Sequence, residues 1–180
     1  MIAAFDVHYT EDAKASAAAV IFNDYGDAAP IASVTHLIHD VADYIPGKFY
    51  KRELPCLLNL RRGIHVPLTE MIIDGYVMHR DGAGLGQYLY VAFDGQIPIV
   101  GVAKNPYVGS SAVAVLRGRS RRPLWVTSAG IAPTEAASRI ERMHGPYRIP
   151  TLLRYADQLA RKSCSGVGDD AVGPKAKCLG

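Results

Sequence analysis

The chain has 180 residues, 49% hydrophobic and 21% charged, which excludes a disordered chain and is enough for one domain with its own core. Its 20 basic and 17 acidic residues leave a formal charge of +3, which permits a nucleic-acid partner without requiring one. Cys56, Cys164 and Cys178 form no CxxC pair, which argues against a zinc ribbon or a disulfide scaffold and for reduced thiols in a cytoplasmic protein. The first residues carry no secretory pattern, and no apolar run approaches the roughly 20 residues of a membrane helix, so no membrane partner is expected.

Three short apolar runs open the chain, at residues 2–8, 17–22 and 31–37, and read as a three-stranded meander with a turn at Asn23-Asp24-Tyr25-Gly26-Asp27. Pro46-Gly47 breaks the pattern. Over residues 48–62, Phe49, Leu54, Leu57, Leu58 and Leu60 recur near helical spacing, and Pro55 is expected to start or kink that helix. Residues 68–73 form a buried strand closed by Asp74-Gly75. A Gly-rich stretch at 81–86 leads to a helix at 87–93, then to a strand at 97–103 apolar enough to be central. Strands at 112–116 and 124–127 flank a basic turn holding Arg117, Arg119, Arg121 and Arg122. Helices at 133–143 and 150–162 follow, and residues 163–180 are expected to be a disordered tail behind one domain spanning 1–162. Strands first, then alternating helices and strands, predict an α/β fold with one mixed sheet flanked by helices.

Three acids stand out. Asp6 lies inside the first apolar strand, Asp74 ends a buried strand, and Glu53 lies at the entry to the first long helix. A buried carboxylate is costly unless paired or bound to metal. Two acids from strands and one from a helix, meeting in space, would suit magnesium or manganese, and such ions act on phosphodiesters. On spacing alone the simpler alternative is that Asp6 pairs with a core Lys or Arg and Asp74 caps a turn.

The segment Tyr44-Ile45-Pro46-Gly47, followed by Arg52-Glu53, resembles the signature of the endonuclease V family. In the same order come Asp6 in Phe5-Asp6-Val7-His8-Tyr9, Asp74-Gly75, Gly101-Val102-Ala103-Lys104, and Arg148-Ile149-Pro150 with Arg154-Tyr155-Ala156-Asp157. The likeness spans about residues 2–162. It implies an RNase H-like fold and a nuclease dependent on Mg2+ or Mn2+ that cuts the phosphodiester 3′ to a deaminated purine, chiefly inosine, in DNA or RNA. It further implies Asp6, Glu53 and Asp74 as metal ligands and Lys104 near the scissile phosphate. Tyr44, Ile45, Pro46 and Gly47 would form a wedge beside the lesion, with Gly75 on the substrate side. A tyrosine stacked into the gap left by an extruded base offsets part of the unstacking cost. A monomer is expected.

The sequence departs from the family in three places. After the Ser128-Ala129-Gly130 turn the family carries a histidine, and here Ile131 stands there, unable to bind metal or move a proton. His79 and Arg80 are out of register with the family's His-Pro-Arg. The chain begins at the first strand, and the 105–125 region is short against the family's hairpin. The arginines of the basic turn offer compensating phosphate contacts, or are simply a solvated turn. Two other readings therefore stand beside the nuclease. One is a nucleic-acid-binding module of the same fold with weak or lost catalysis. The other is a fold relative with a different substrate.

Overall fold

The computed structural model describes residues 1–10, 14–39, 41, 45 and 50–164. Strands β1 (Ile2–Tyr9), β2 (Ala15–Phe22) and β3 (Ala32–Ile38) form the expected antiparallel meander. Helix α1 (Tyr50–Arg62) then crosses to β4 (Glu70–Asp74), which pairs parallel with β1. A short ribbon, β5 (Met78–His79) with β6 (Gly82–Ala83), and helix α2 (Leu85–Ala92) lead to β7 (Ile99–Ala103), parallel to β4. A hairpin of β8 (Val113–Val115) and β9 (Leu124–Ala129) closes the sheet antiparallel to β7. Helices α3 (Pro133–Arg142) and α4 (Thr151–Cys164) end the described chain. The sheet order is β3-β2-β1-β4-β7-β9-β8, a mixed sheet with the parallel strands at its centre.

Alternation along the strands sorts the core into two layers. Ala4, Val20, Phe22, Ile72, Val100 and Val126 face α3 and α4, where Ala136, Ile140, Leu152 and Ala156 are buried. Ala3, Phe5, Ala17, Ala19, Met71, Ile73 and Ile99 face the opposite way, towards Leu57 and Leu60 of α1 and Leu89 of α2. The alanines of β2 are small on both faces, so helices seat closely over a strand buried along its whole length.

Two expectations need correction. Pro55 does not start α1: the helix begins at Tyr50 and Pro55 stands inside it on the exposed side. Burial of Cys56, Leu57 and Leu60 beneath it outweighs the hydrogen bond proline forfeits. Arg117 is not a solvated turn residue. It is buried, and its guanidinium donates to the carbonyls of Glu141, Tyr147 and Arg148, and to those of Met143 and Gly145. The carbonyls that end α3 and the loop after it lack helical partners, and Arg117 supplies them. Arg119, Arg121 and Arg122 remain exposed. The expected tail from residue 165 onward lies outside the described residues. Among the described residues no helix is long and apolar enough to cross a membrane.

Candidate active site

Asp6, Asp74 and Lys104 come from the carboxyl ends of three adjacent parallel strands. Phe5 pairs with Ile73 in register, and Asp74 with Val102, so Asp6 comes level with Asp74, and Lys104 stands two residues beyond Val102 at the carboxyl end of the parallel core. Ligand sites of open α/β sheets lie at these ends. Asp6 shares a face with Ala4, Asp74 with Ile72 and Lys104 with Val102, all on the side covered by α4. Lys104 Nζ donates to Asp74 Oδ2 at 2.6 Å. Their side chains are 45% and 37% exposed, so this ion pair contributes little to stability and stays within reach of a ligand.

Glu53 arrives from the first turn of α1 and is buried. Burial, reinforced by the charges of Asp6 and Asp74, pushes its carboxyl up to about 8. Burial pushes Asp6 up to about 7, with Asp74 and Asp157 adding repulsion. The three acids singled out by the sequence therefore share one electrostatic site. Burial pulls the Lys104 ammonium down, but the hydrogen bond and charge of Asp74, with Asp6 and Asp157, outweigh it and leave it raised.

Asp157 of α4 is the residue that sequence reasoning left out of the site. It lines a cavity of about 110 Å³ together with Asp6, Asp74, Lys104 and Arg154. A hydrogen bond from Arg161 holds its carboxyl below the usual range, where the charges of Lys104 and His8 also favour ionisation. The signal was the stripe Leu152, Ala156 and Ala160, which seats α4 on the sheet and puts the neighbouring Asp157 over the strand ends.

A second cavity, of about 310 Å³, opens on the α1 and α2 side. Its walls include Glu53, Asp74, Gly75 and the rings of Tyr50, Tyr76, His79 and Tyr107. Tyr50 stacks on Tyr88 at 4.0 Å, and the His79 ring lies 4.6 Å from Tyr107 and 5.4 Å from Tyr76. Gly75 sits at φ +118°, a conformation open to glycine. The turn it makes crosses tightly over β7: a Cβ on Gly101 would meet Gly75 O at 2.6 Å. Val77 N–H donates to Thr127 Oγ1 at 2.9 Å and locks the crossing.

Tyr44, Pro46 and Gly47, expected beside the substrate, lie outside the described residues, while Ile45 is exposed. Ile131 packs against the core layer beneath α3 and α4, and its carbonyl accepts from Ser128 Oγ at 2.8 Å. Among the described residues, no three His, Cys, Asp or Glu side chains are arranged to hold a metal ion as they stand. Lys104 is paired with Asp74, and the carboxyls of Asp6 and Glu53 are raised by burial and by the charge of their acidic neighbours. The donor set still fits a hard divalent cation: it is all carboxylate, and the raised carboxyls of Asp6 and Glu53 lack a cation of their own in the pairs that Lys104 and Arg161 make.

A sequence profile described as Endonuclease V matches residues 1–132. Endonuclease V of Streptomyces avermitilis is 29% identical over 181 residues, covering 88% of this chain and 78% of the relative. The crystal structure of the Streptomyces avermitilis protein superposes with a TM-score of 0.75 at 28% identity, covering 91% of this chain and 81% of that one. Ciona intestinalis endonuclease V, in complex with a 24-mer DNA containing an inosine, shares the fold at a TM-score of 0.78 and 17% identity, covering 93% and 87%. With its order of elements, its site at the parallel strand ends and a profile match over most of its length, the chain belongs to the endonuclease V family.

Proposed function

We propose that this chain is a divalent-metal-dependent endonuclease that hydrolyses a phosphodiester on the 3′ side of inosine in DNA or RNA. The observation that supports the reading is the electrostatic coupling of Asp6, Glu53 and Asp74, with Lys104 bonded to Asp74 at the carboxyl end of the parallel strands, beside a ring-lined cavity. The chemistry needs water delivered to phosphorus, charge neutralised on the phosphate, and a base held out of its stack.

Asp6, Glu53 and Asp74 would hold the cation, Mg2+ or Mn2+, with Asp157 close by. Bound there, a divalent cation supplies charge to the phosphate oxygens and lowers the pKa of an attacking water. The chain's own groups do the rest. Lys104 Nζ, exposed beside Asp74, neutralises charge that develops on the phosphate. Burial raises the carboxyls of Glu53 and Asp6 in the metal-free chain, so they would give up their protons on binding the cation. The cavity walled by Tyr50, Tyr76, His79 and Tyr107 offers π-faces to an extruded purine, and at about 310 Å³ it matches small-molecule sites of roughly 300–1,000 Å³. Tyr44, Ile45, Pro46 and Gly47 act as the wedge in this reading, and the exposure of Ile45 supports it.

The test is cleavage of end-labelled DNA and RNA strands, each with one inosine, in Mg2+ and in Mn2+. A nick at the second phosphodiester 3′ to the inosine, lost in Glu53→Ala, supports the reading. One observation favours the binding-module alternative: Ile131 is half-buried against the core, where it provides no imidazole. Salt-dependent binding of the inosine strand without any nick would select that alternative.

A further inference from the structure

Resting on that reading, we propose that Arg148 is a positioning residue that holds Lys104 in place through its main chain. Arg148 Nη2 donates to the carbonyl oxygen of Lys104 and, at 2.8 Å, to the carbonyl of Pro123. One guanidinium thus ties the residue that follows β7 to the residue that precedes β9. Lys104 stands just beyond the last β7 pair, Ala103 with Trp125, so the sheet ladder gives its backbone no further partner. Its side chain extends the other way, to Asp74.

Arg148 is itself anchored. The buried Arg117 donates to the carbonyl of Arg148 and, at 2.9 Å, to that of Tyr147. A continuous series of contacts therefore runs from the β8–β9 hairpin, through the α3–α4 loop, to Lys104 beside Asp74. Both bonds leave the same terminal nitrogen, Nη2, so one NH2 group of the guanidinium bridges the two carbonyls. A shift of about 1 Å at a catalytic group can cost about a hundredfold in rate, which sets the scale of the effect.

The experiment compares full-length wild type, Arg148→Ala and Arg148→Lys in steady-state cleavage of the inosine strand and in amide hydrogen exchange over residues 103–106. The expected result is a kcat lower by about 10- to 100-fold in Arg148→Ala with KM within about threefold, and faster exchange confined to residues 103–106. Arg148→Lys recovers part of kcat, and it carries the test if the alanine variant does not fold. A raised KM at unchanged kcat would make Arg148 a substrate contact and overturn the proposal. Unchanged exchange at 103–106, or local exchange that quickens without loss of kcat, overturns it too. If wild type cuts nothing, the functional reading fails, while the exchange measurement still decides whether Arg148 orders Lys104.

Discussion

At the scale of single residues, the acids of the site are held against their own charge. The carboxyl of Asp6 rises from 3.8 to about 7, and that of Glu53 from 4.5 to about 8. A carboxyl raised by folding binds its proton more tightly in the folded state than in the unfolded one. Its contribution is complete below pH 3.8 and 4.5, and is lost as pH climbs through about 7 and 8. The metal-free protein should therefore melt at progressively lower temperature between about pH 5 and pH 8, and Asp6→Asn should flatten that decline. Calorimetry in a chelator checks it, and a wild-type Tm independent of pH across this window would refute it. Added Mn2+ should raise Tm, more at pH 8 than at pH 6, because the ligands must lose their protons to bind it. Lys104 belongs to a different class. Its pair with Asp74 is solvent-exposed, so Lys104→Ala should leave Tm nearly unchanged while cleavage falls by about 10²- to 10³-fold. Equal cleavage by that variant would remove Lys104 from the chemistry.

At the scale of elements, helices carry half of the site and one arginine fixes their arrangement. Glu53 reaches the strand ends because α1 buries Cys56, Leu57 and Leu60 against the β2 face, which turns its first turn inward. Asp157 reaches them because α4 buries Leu152, Ala156 and Ala160 on the other face. Arg117 satisfies the carbonyls that end α3 and lead into α4. Arg117→Ala leaves several of these buried acceptors without a donor and should cost about 3 kcal/mol, read from urea unfolding at an unchanged m-value. A loss within experimental error would mean that water replaces the guanidinium. The periodicity of the helices was legible in the sequence. The role of Arg117 was not: among four arginines in a polar turn, nothing local distinguishes the one whose side chain turns inward.

At the scale of the whole molecule, the acidic edge sits in a chain of net charge +3, and Arg119, Arg121 and Arg122 are exposed on the β8–β9 connection. Binding of an inosine strand should weaken as salt rises, with a log–log slope near −0.7 per phosphate contacted on a single strand. Replacing those three arginines with serine should make the slope shallower if the connection touches phosphate. An identical slope would assign them to solvent. The parallel core β1-β4-β7 also explains how residues distant in sequence come near one another: parallel strands point their carboxyl ends the same way.

The chain by itself determined the order of the main strands and helices, though not the β5–β6 ribbon, because alternation and helical spacing are local properties of a sequence and two-residue strands are too short to show either. It also marked Asp6, Glu53 and Asp74, because a carboxylate in or beside an apolar run is costly without a purpose. Only the tertiary structure decided that the charges of these acids act on one another and that Asp157 lines a cavity with Asp6 and Asp74. Only it decided that Lys104 pairs with Asp74 while its own backbone is held by Arg148. Each of those facts depends on register across the parallel strands and on which face each helix covers, and both are set by long-range packing rather than by neighbours in the chain.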